Sequence, residues 1–179
     1  MRRSLMVLTF VALAAAGCDR LTVPAAPDKD TGTVAARGGD FRHSQTADLS
    51  GYYSTGEAQV GPDDFQLMSL FVGQVPDFVN WEAGRRPGGY APVMLEFLTP
   101  GETTERVLPD SYSISDGRIR MSGTSADGVR VTVDGQMNAG ALATARRNLG
   151  GGEAAAVTAA VRIGDQTFSG VKLHWNGGD

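Results

Sequence analysis

The sequence predicts a mainly β protein, an antiparallel sandwich or small barrel of about eight short strands with one short helix. Three observations carry that expectation. From Ser111 to Ser122, polar and apolar residues alternate on either side of Asp116-Gly117. Val129, Val131 and Val133 then alternate with Arg130, Thr132 and Asp134. Near the C-terminus, Val157, Val161 and Ile163 lead into Gly164-Asp165, after which Phe168, Val171, Leu173 and Trp175 return. A period of two marks a half-buried strand, and two such runs around a glycine-containing dipeptide mark a hairpin.

In chain order, Leu49 to Thr55 reads as a strand carrying Tyr52 and Tyr53. Phe65 to Val72 is apolar on both faces and suits a buried strand, although Pro62-Asp63-Asp64 before it and Gly73 after it also permit a short helix. Tyr90 to Leu98 forms a further strand, with Val93, Leu95 and Phe97 on one side. In the next hairpin, a type I′ turn at Asp116-Gly117 pairs Ser115 with Arg118, Ile114 with Ile119 and Tyr112 with Met121. That register puts every apolar side chain on one face. A two-residue turn at Asp127-Gly128 would set the following strand out of phase. A five-residue loop from Thr124 to Gly128 is therefore expected, opposing Met121 to Val131 and Ile119 to Val133. Asn138 to Gly150 reads as the helix: Asn138 caps it, Leu142, Ala145 and Leu149 share a face, and Gly150 takes the left-handed position beyond its end. In the last hairpin, Gly164-Asp165 suits a type II′ turn. A bulge at Ser169-Gly170 is needed to return Val171, Leu173 and Trp175 to the core side.

Ahead of this domain the chain has a different character. Arg2 and Arg3 precede the apolar run Leu5 to Ala16, which ends in Ala15-Ala16-Gly17-Cys18. A basic start, an apolar stretch and small residues at a cleavage site make a secretory signal. The run is shorter than the ~20 residues that a membrane-spanning helix needs. Through Ala15, Ala16, Gly17 and Cys18 the chain resembles a bacterial lipoprotein precursor, although the position three before the cysteine, usually leucine, is Ala15. The resemblance covers only this first segment. It implies cleavage before Cys18, acyl chains on its thiol and a membrane as partner, with Asp19 favouring the inner membrane and the outer membrane left open. Ordinary cleavage after Ala16 would instead leave a lone thiol in an oxidising compartment, which is disfavoured. Two acyl chains suffice for stable anchoring.

The expected organisation is a signal peptide at 1–17, a lipidated cysteine and tether at 18–47, and a β-rich domain at 48–179. Proline, glycine and charged residues crowd the stretch from Asp19 to Ala47, which offers little apolar surface to offset ordering entropy. As a flexible coil its root-mean-square span is roughly 30 Å.

Once Arg2 and Arg3 are removed with the signal, 20 acidic residues outnumber the basic ones. The net negative charge disfavours nucleic acid and anionic lipid as partners. With Cys18 as the single cysteine and His43 and His174 the two histidines, an intrachain disulfide is excluded and a zinc site disfavoured. No motif for nucleophilic hydrolysis, phosphate cradling or zinc-dependent hydrolysis occurs, so neither an enzyme activity nor a cofactor is expected.

The candidate binding residues are Trp81, Arg85, Arg86 and Tyr90, which set two guanidinium groups between aromatic rings beside a Pro87-Gly88-Gly89 turn. Arginine with aromatic side chains is the composition of binding hot spots. Two functions follow as expectations: a non-enzymatic module that docks another envelope protein, or a carrier of a small apolar ligand held among Phe65, Leu67, Phe71, Trp81 and Phe97.

Overall fold

The computed structural model describes residues 40–149 and 152–178. The strands in them are β1 (Phe41–His43), β2 (Gly51–Ser54) and β3 (Gln66–Val72); helix α1 (Val75–Glu82) follows. Next come β4 (Val93–Thr99), β5 (Thr103–Val107), β6 (Pro109–Ser115), β7 (Arg118–Thr124) and β8 (Arg130–Met137). Helix α2 (Ala139–Arg147), β9 (Val157–Ile163) and β10 (Gln166–Asn176) complete the domain.

The strands form one sheet in the order β1-β6-β7-β8-β9-β10-β2-β3-β4-β5. It is curled into a half-barrel. Strand β10 makes this continuity possible: Gln166 to Leu173 pairs with β9, and His174 to Asn176 pairs with β2. Along the sheet, one face alternates into the core. Tyr53, Leu70, Val93, Leu95 and Phe97 from one half and Ile114, Ile119, Val131, Val161 and Leu173 from the other are all buried in a single apolar cluster. Each such side chain contributes roughly 1.5–3 kcal/mol relative to exposure.

The mainly β class agrees with the sequence, while the finer architecture differs. Where a sandwich or small barrel of about eight strands with one helix is expected, the described residues form a single sheet of ten strands curled into a half-barrel, with two helices. It is mixed, because β1 runs parallel to β6. The domain also starts before residue 48. Phe41, Arg42 and His43 pair with Tyr112, Ser113 and Ile114, and Asp116 accepts hydrogen bonds from the Thr46 and Ala47 backbone N–H groups at 2.7 and 2.8 Å. The signal segment, Cys18 and the remainder of the expected tether lie outside the described residues.

The hairpin register of β6 and β7 is the expected one, from Ser115 opposite Arg118 to Tyr112 opposite Met121. Its turn is not type I′, since neither Asp116 nor Gly117 has a positive φ. The bonds from residues 46 and 47 to the Asp116 carboxylate, and from Met137 N–H to the Gly117 carbonyl at 3.0 Å, hold the turn from outside. Between β7 and β8 the pairing is shifted: Met121 lies opposite Val133, and Gly123 opposite Val131. The loop begins at Ser125, whose buried hydroxyl accepts the Val129 N–H at 3.0 Å. The parity of the faces survives this shift, so the valines still enter the core.

The C-terminal hairpin follows the sequence closely. Gly164 has φ 56°, as a type II′ turn requires at its first position. The ladder skips between Phe168 and Val171, where Gly170 has φ 69° and supplies the extra residue of the bulge. Helix α2 is capped by Asn138, which accepts the Ala141 N–H at 3.0 Å. It ends earlier than expected. Leu149 holds the left-handed position with φ 52° and is 94% exposed, so it leaves the buried face shared by Leu142 and Ala145. Gly150 lies outside the described residues.

Helix α1 was not expected from the sequence. Pro76 sits in its first turn, Asp77 accepts the Gln74 N–H at 2.8 Å, and Phe78 and Trp81 are buried one turn apart. No helix among the described residues is long and apolar enough to cross a membrane.

Candidate functional site

Strands β2, β3 and β4 lie in the second half of the sheet, and their outer face is not uniformly polar. Tyr52 and Phe71 are directly opposed across β2 and β3, and their rings meet at 5.0 Å. Phe71 in turn meets Tyr90 edge-on at 5.8 Å. These half-buried rings, with Trp175 of β10, Arg146 of α2 and Asp77 of α1, line an open cleft of about 320 Å³. Gly51 and Gly73 form part of its wall. A Cβ on Gly73 would stand 2.9 Å from the Asp77 carboxylate and 3.0 Å from the Tyr90 hydroxyl.

A second open cleft of about 200 Å³ adjoins it. Asp77 and Tyr90 border both, and Asn80, Trp81, Arg85, Pro87 and Pro92 complete the second. Arg85 is oriented by Asn80, whose side-chain oxygen accepts from Nε at 3.1 Å and from Nη2 at 2.6 Å. Burial raises the Tyr90 hydroxyl, and the Asp77 carboxylate beside it adds to the effect, so its pKa is pushed up to about 12. Tyr90 is therefore a neutral donor at physiological pH.

Three of the four sequence-predicted residues, Trp81, Arg85 and Tyr90, thus border one cleft. They differ in burial: Trp81 is 6% exposed and belongs to the core, so it forms the floor rather than a projecting contact. Arg86 turns to the other side of α1. Its guanidinium lies 4.5 Å over the Phe41 ring and 5.5 Å from Trp81, and its Nε donates to the Trp81 carbonyl at 3.2 Å.

Beside Arg86, three side chains from β1, α1 and β6 form a hydrogen-bonded cluster. His43 Nδ1 stands 2.9 Å from both Glu82 carboxylate oxygens, and the Tyr112 hydroxyl donates to Glu82 Oε1 at 3.1 Å. The His43 ring stacks on Phe78 at 5.3 Å. Burial, with the Glu82 charge beside it, drives the Tyr112 hydroxyl well above its ordinary pKa. The cluster ties the first strand to the helix. No group of three or more His, Cys, Asp or Glu among the described residues is placed to hold a metal.

Sequence reasoning missed Tyr52, Arg146 and Trp175 as site residues and placed Phe71 only in the apolar-ligand alternative. Tyr52 reads as a strand residue, and nothing local indicates that β10 delivers Trp175 next to it. The four aromatics expected around an apolar ligand are dispersed: Phe97 is fully buried, Phe65 stacks on it at 4.0 Å, Phe71 faces outward and Trp81 underlies the second cleft.

A wider open cleft of about 710 Å³ occurs where the hairpin ends converge. Phe65, Val129 and Ile163 give it an apolar floor, and Asp64, Glu105, Asp127 and Asp165 surround its mouth. No protein-family model, no curated protein and no solved structure matches the chain.

Proposed function

We propose that the chain is a lipid-anchored cell-envelope protein, held to a membrane through acyl chains on Cys18, whose β domain acts by binding another envelope protein. The contact is the paired cleft bordered by Tyr52, Phe71, Tyr90, Trp175 and Arg85. What supports it is the meeting of four aromatic side chains with Arg85 and Arg146 in two adjoining clefts that share Asp77 and Tyr90. Amphipathic rings lose little conformational entropy on contact and bury large areas, which is why they anchor protein interfaces. This reading is non-enzymatic and needs no cofactor. A carrier of an apolar ligand is the weaker alternative, because the concave side of the sheet is filled by core side chains and the cleft of about 710 Å³ is lined by four carboxylates.

The test places a photo-crosslinking residue at Tyr52 of the full chain in bacterial cells, and fractionates membranes in parallel. One defined adduct is expected, and it should disappear with Phe71→Ala and Tyr90→Ala when both variants fold normally. Adducts that persist in those variants, or no adduct, would overturn the docking site. Cys18→Ser should release the protein from membranes, and retention after signal cleavage would overturn the anchor.

A further inference from the structure

We propose that the basic outer face of the first half of the sheet is a docking surface for the anionic phospholipid headgroups of the bilayer. The β-ladder registers put Arg42, Arg118, Arg120, Arg130, Arg162 and Lys172 on one face across β1 and β7–β10. The carboxylates interleaved with them are few. Asp134 is shared between Arg118 at 2.6 Å and Arg120 at 3.4 Å, Asp40 is held by Arg42 at 2.6 Å, Asp165 lies 3.7 Å from Arg162, and Asp110 accepts from the Thr124 hydroxyl at 2.7 Å, which leaves six cations against four carboxylates. Arg130 is exposed and makes no ion pair among the described residues, while Lys172 donates only to the Thr158 hydroxyl at 3.2 Å.

Further acidic side chains lie elsewhere, for instance Asp64, Glu105 and Asp127 around the wider cleft. Net charge is a poor guide to the partner of a molecule whose charges are segregated. Among the side chains between the guanidinium groups are the short hydroxyls of Ser113, Ser122 and Thr132, beside Asp134 and Gln136. The hydroxyls let a phosphate approach closely, and guanidinium binds phosphate through paired hydrogen bonds.

Charge complementarity indicates an anionic partner, and the sequence indicates which one. This choice rests on the anchor reading: residues 19–39 separate Cys18 from the described domain, so acylation would keep the domain near the bilayer surface. Electrostatic attraction acts only within about a Debye length of that surface, roughly 8–10 Å.

The test uses the mature chain with Cys18→Ser, so that no acyl group contributes. Its flotation is measured with vesicles of phosphatidylcholine alone and with vesicles containing phosphatidylglycerol. Binding is expected only to the anionic vesicles and should weaken steeply with salt. Arg130→Gln with Arg162→Gln should lower it by about 25-fold, from about fivefold per cation removed. The matched pair Arg106→Gln with Arg147→Gln, which removes two exposed cations elsewhere, should change it less than about threefold. Equal binding to both vesicles, equal losses in the two paired variants, or no binding at low salt would overturn the proposal. None of these outcomes bears on the anchor, which the membrane fractionation of Cys18→Ser decides separately.

Discussion

Arg146 and Trp175 donate to the same acceptor: Arg146 Nη2 and Trp175 Nε1 reach the Ser50 carbonyl at 2.6 and 2.9 Å, with the guanidinium 5.0 Å over the indole. Helix α2, the end of β10 and the entry to β2 are thereby joined at one backbone oxygen. The next residue must stay small. A Cβ on Gly51 would lie 2.2 Å from Trp175 Nε1, and its φ of 135° disfavours any L side chain. Gly51→Ala is expected to destabilise the domain by about 3 kcal/mol, combining strain with displacement of the indole. Thermal unfolding checks this. An unchanged Tm would show that the indole is not fixed against β2.

Two glycines in adjacent turns should respond oppositely to the same substitution. Gly117 has no positive φ, and a Cβ there would meet nothing within 4 Å, so alanine fits and reduces the freedom of the unfolded chain. Gly128 also has open space but holds φ 82°. Gly117→Ala should leave stability unchanged or raise it by up to about 1 kcal/mol, and Gly128→Ala should lower it by about 1 kcal/mol. Paired denaturant titrations decide the matter. A loss at Gly117 would restore the type I′ turn that the Asp-Gly dipeptide suggests.

The bond between His43 and Glu82 should matter more than a typical surface pair. Their side chains are 17% and 26% exposed, against 74% and 66% for Arg42 and Asp40. Screening and side-chain entropy reduce exposed pairs to small values, whereas a partly buried carboxylate with two hydrogen-bonded partners is harder to replace. A double-mutant cycle of His43→Ala and Glu82→Ala should give a coupling of about 1 kcal/mol or more, and the Arg42–Asp40 cycle below about 0.5 kcal/mol. Equal couplings would show that β1 is not held to α1 through this contact.

These contacts show which parts of the molecule are legible locally. The hairpins around Asp116-Gly117 and Gly164-Asp165, with the bulge at Gly170, were readable because alternation and turn chemistry lie within a few residues of one another. Strand β1 was not, since Phe41, Arg42 and His43 are too few to display a period and their partner is β6, some seventy residues away. Helix α1 was hidden by Val75, Pro76 and Val79, which have poor helix propensity; burial of Phe78 and Trp81 overrides it. The polar strand β5 carries one buried side chain, Val107, as suits a sheet edge, and so lacks an apolar stripe. Trp81, Arg85 and Tyr90 were found from composition within one short segment. Tyr52 and Phe71 join them through the pairing of β2 with β3 and the ring contact to Tyr90, and Trp175 arrives because β10 changes partners from β9 to β2, an event that no local pattern records.

Acid should loosen the domain through three carboxylates. Hydrogen bonds from the backbone of Ala47, then from Thr46, hold the Asp116 carboxyl below its ordinary value of 3.8. Hydrogen bonding from Arg118 does the same for Asp134 against a smaller opposing effect of burial. Burial works to raise Asp48, but its bonds with Arg146 and Ser50 outweigh that and leave it lowered as well. A carboxyl whose folded value is depressed contributes stability that is fully present above the unfolded value of 3.8 and is lost as pH falls through the folded one. Tm is therefore expected to stay level from about pH 7 to pH 5 and to fall below about pH 4. Asp116→Asn, which keeps an acceptor but cannot titrate, should flatten part of that fall while lowering Tm at neutral pH. High salt should affect the Asp116 share little, because its partners are a hydroxyl and backbone N–H groups rather than a cation. A Tm profile of Asp116→Asn parallel to that of the native chain would show that residues 46 and 47 are not secured by this carboxylate.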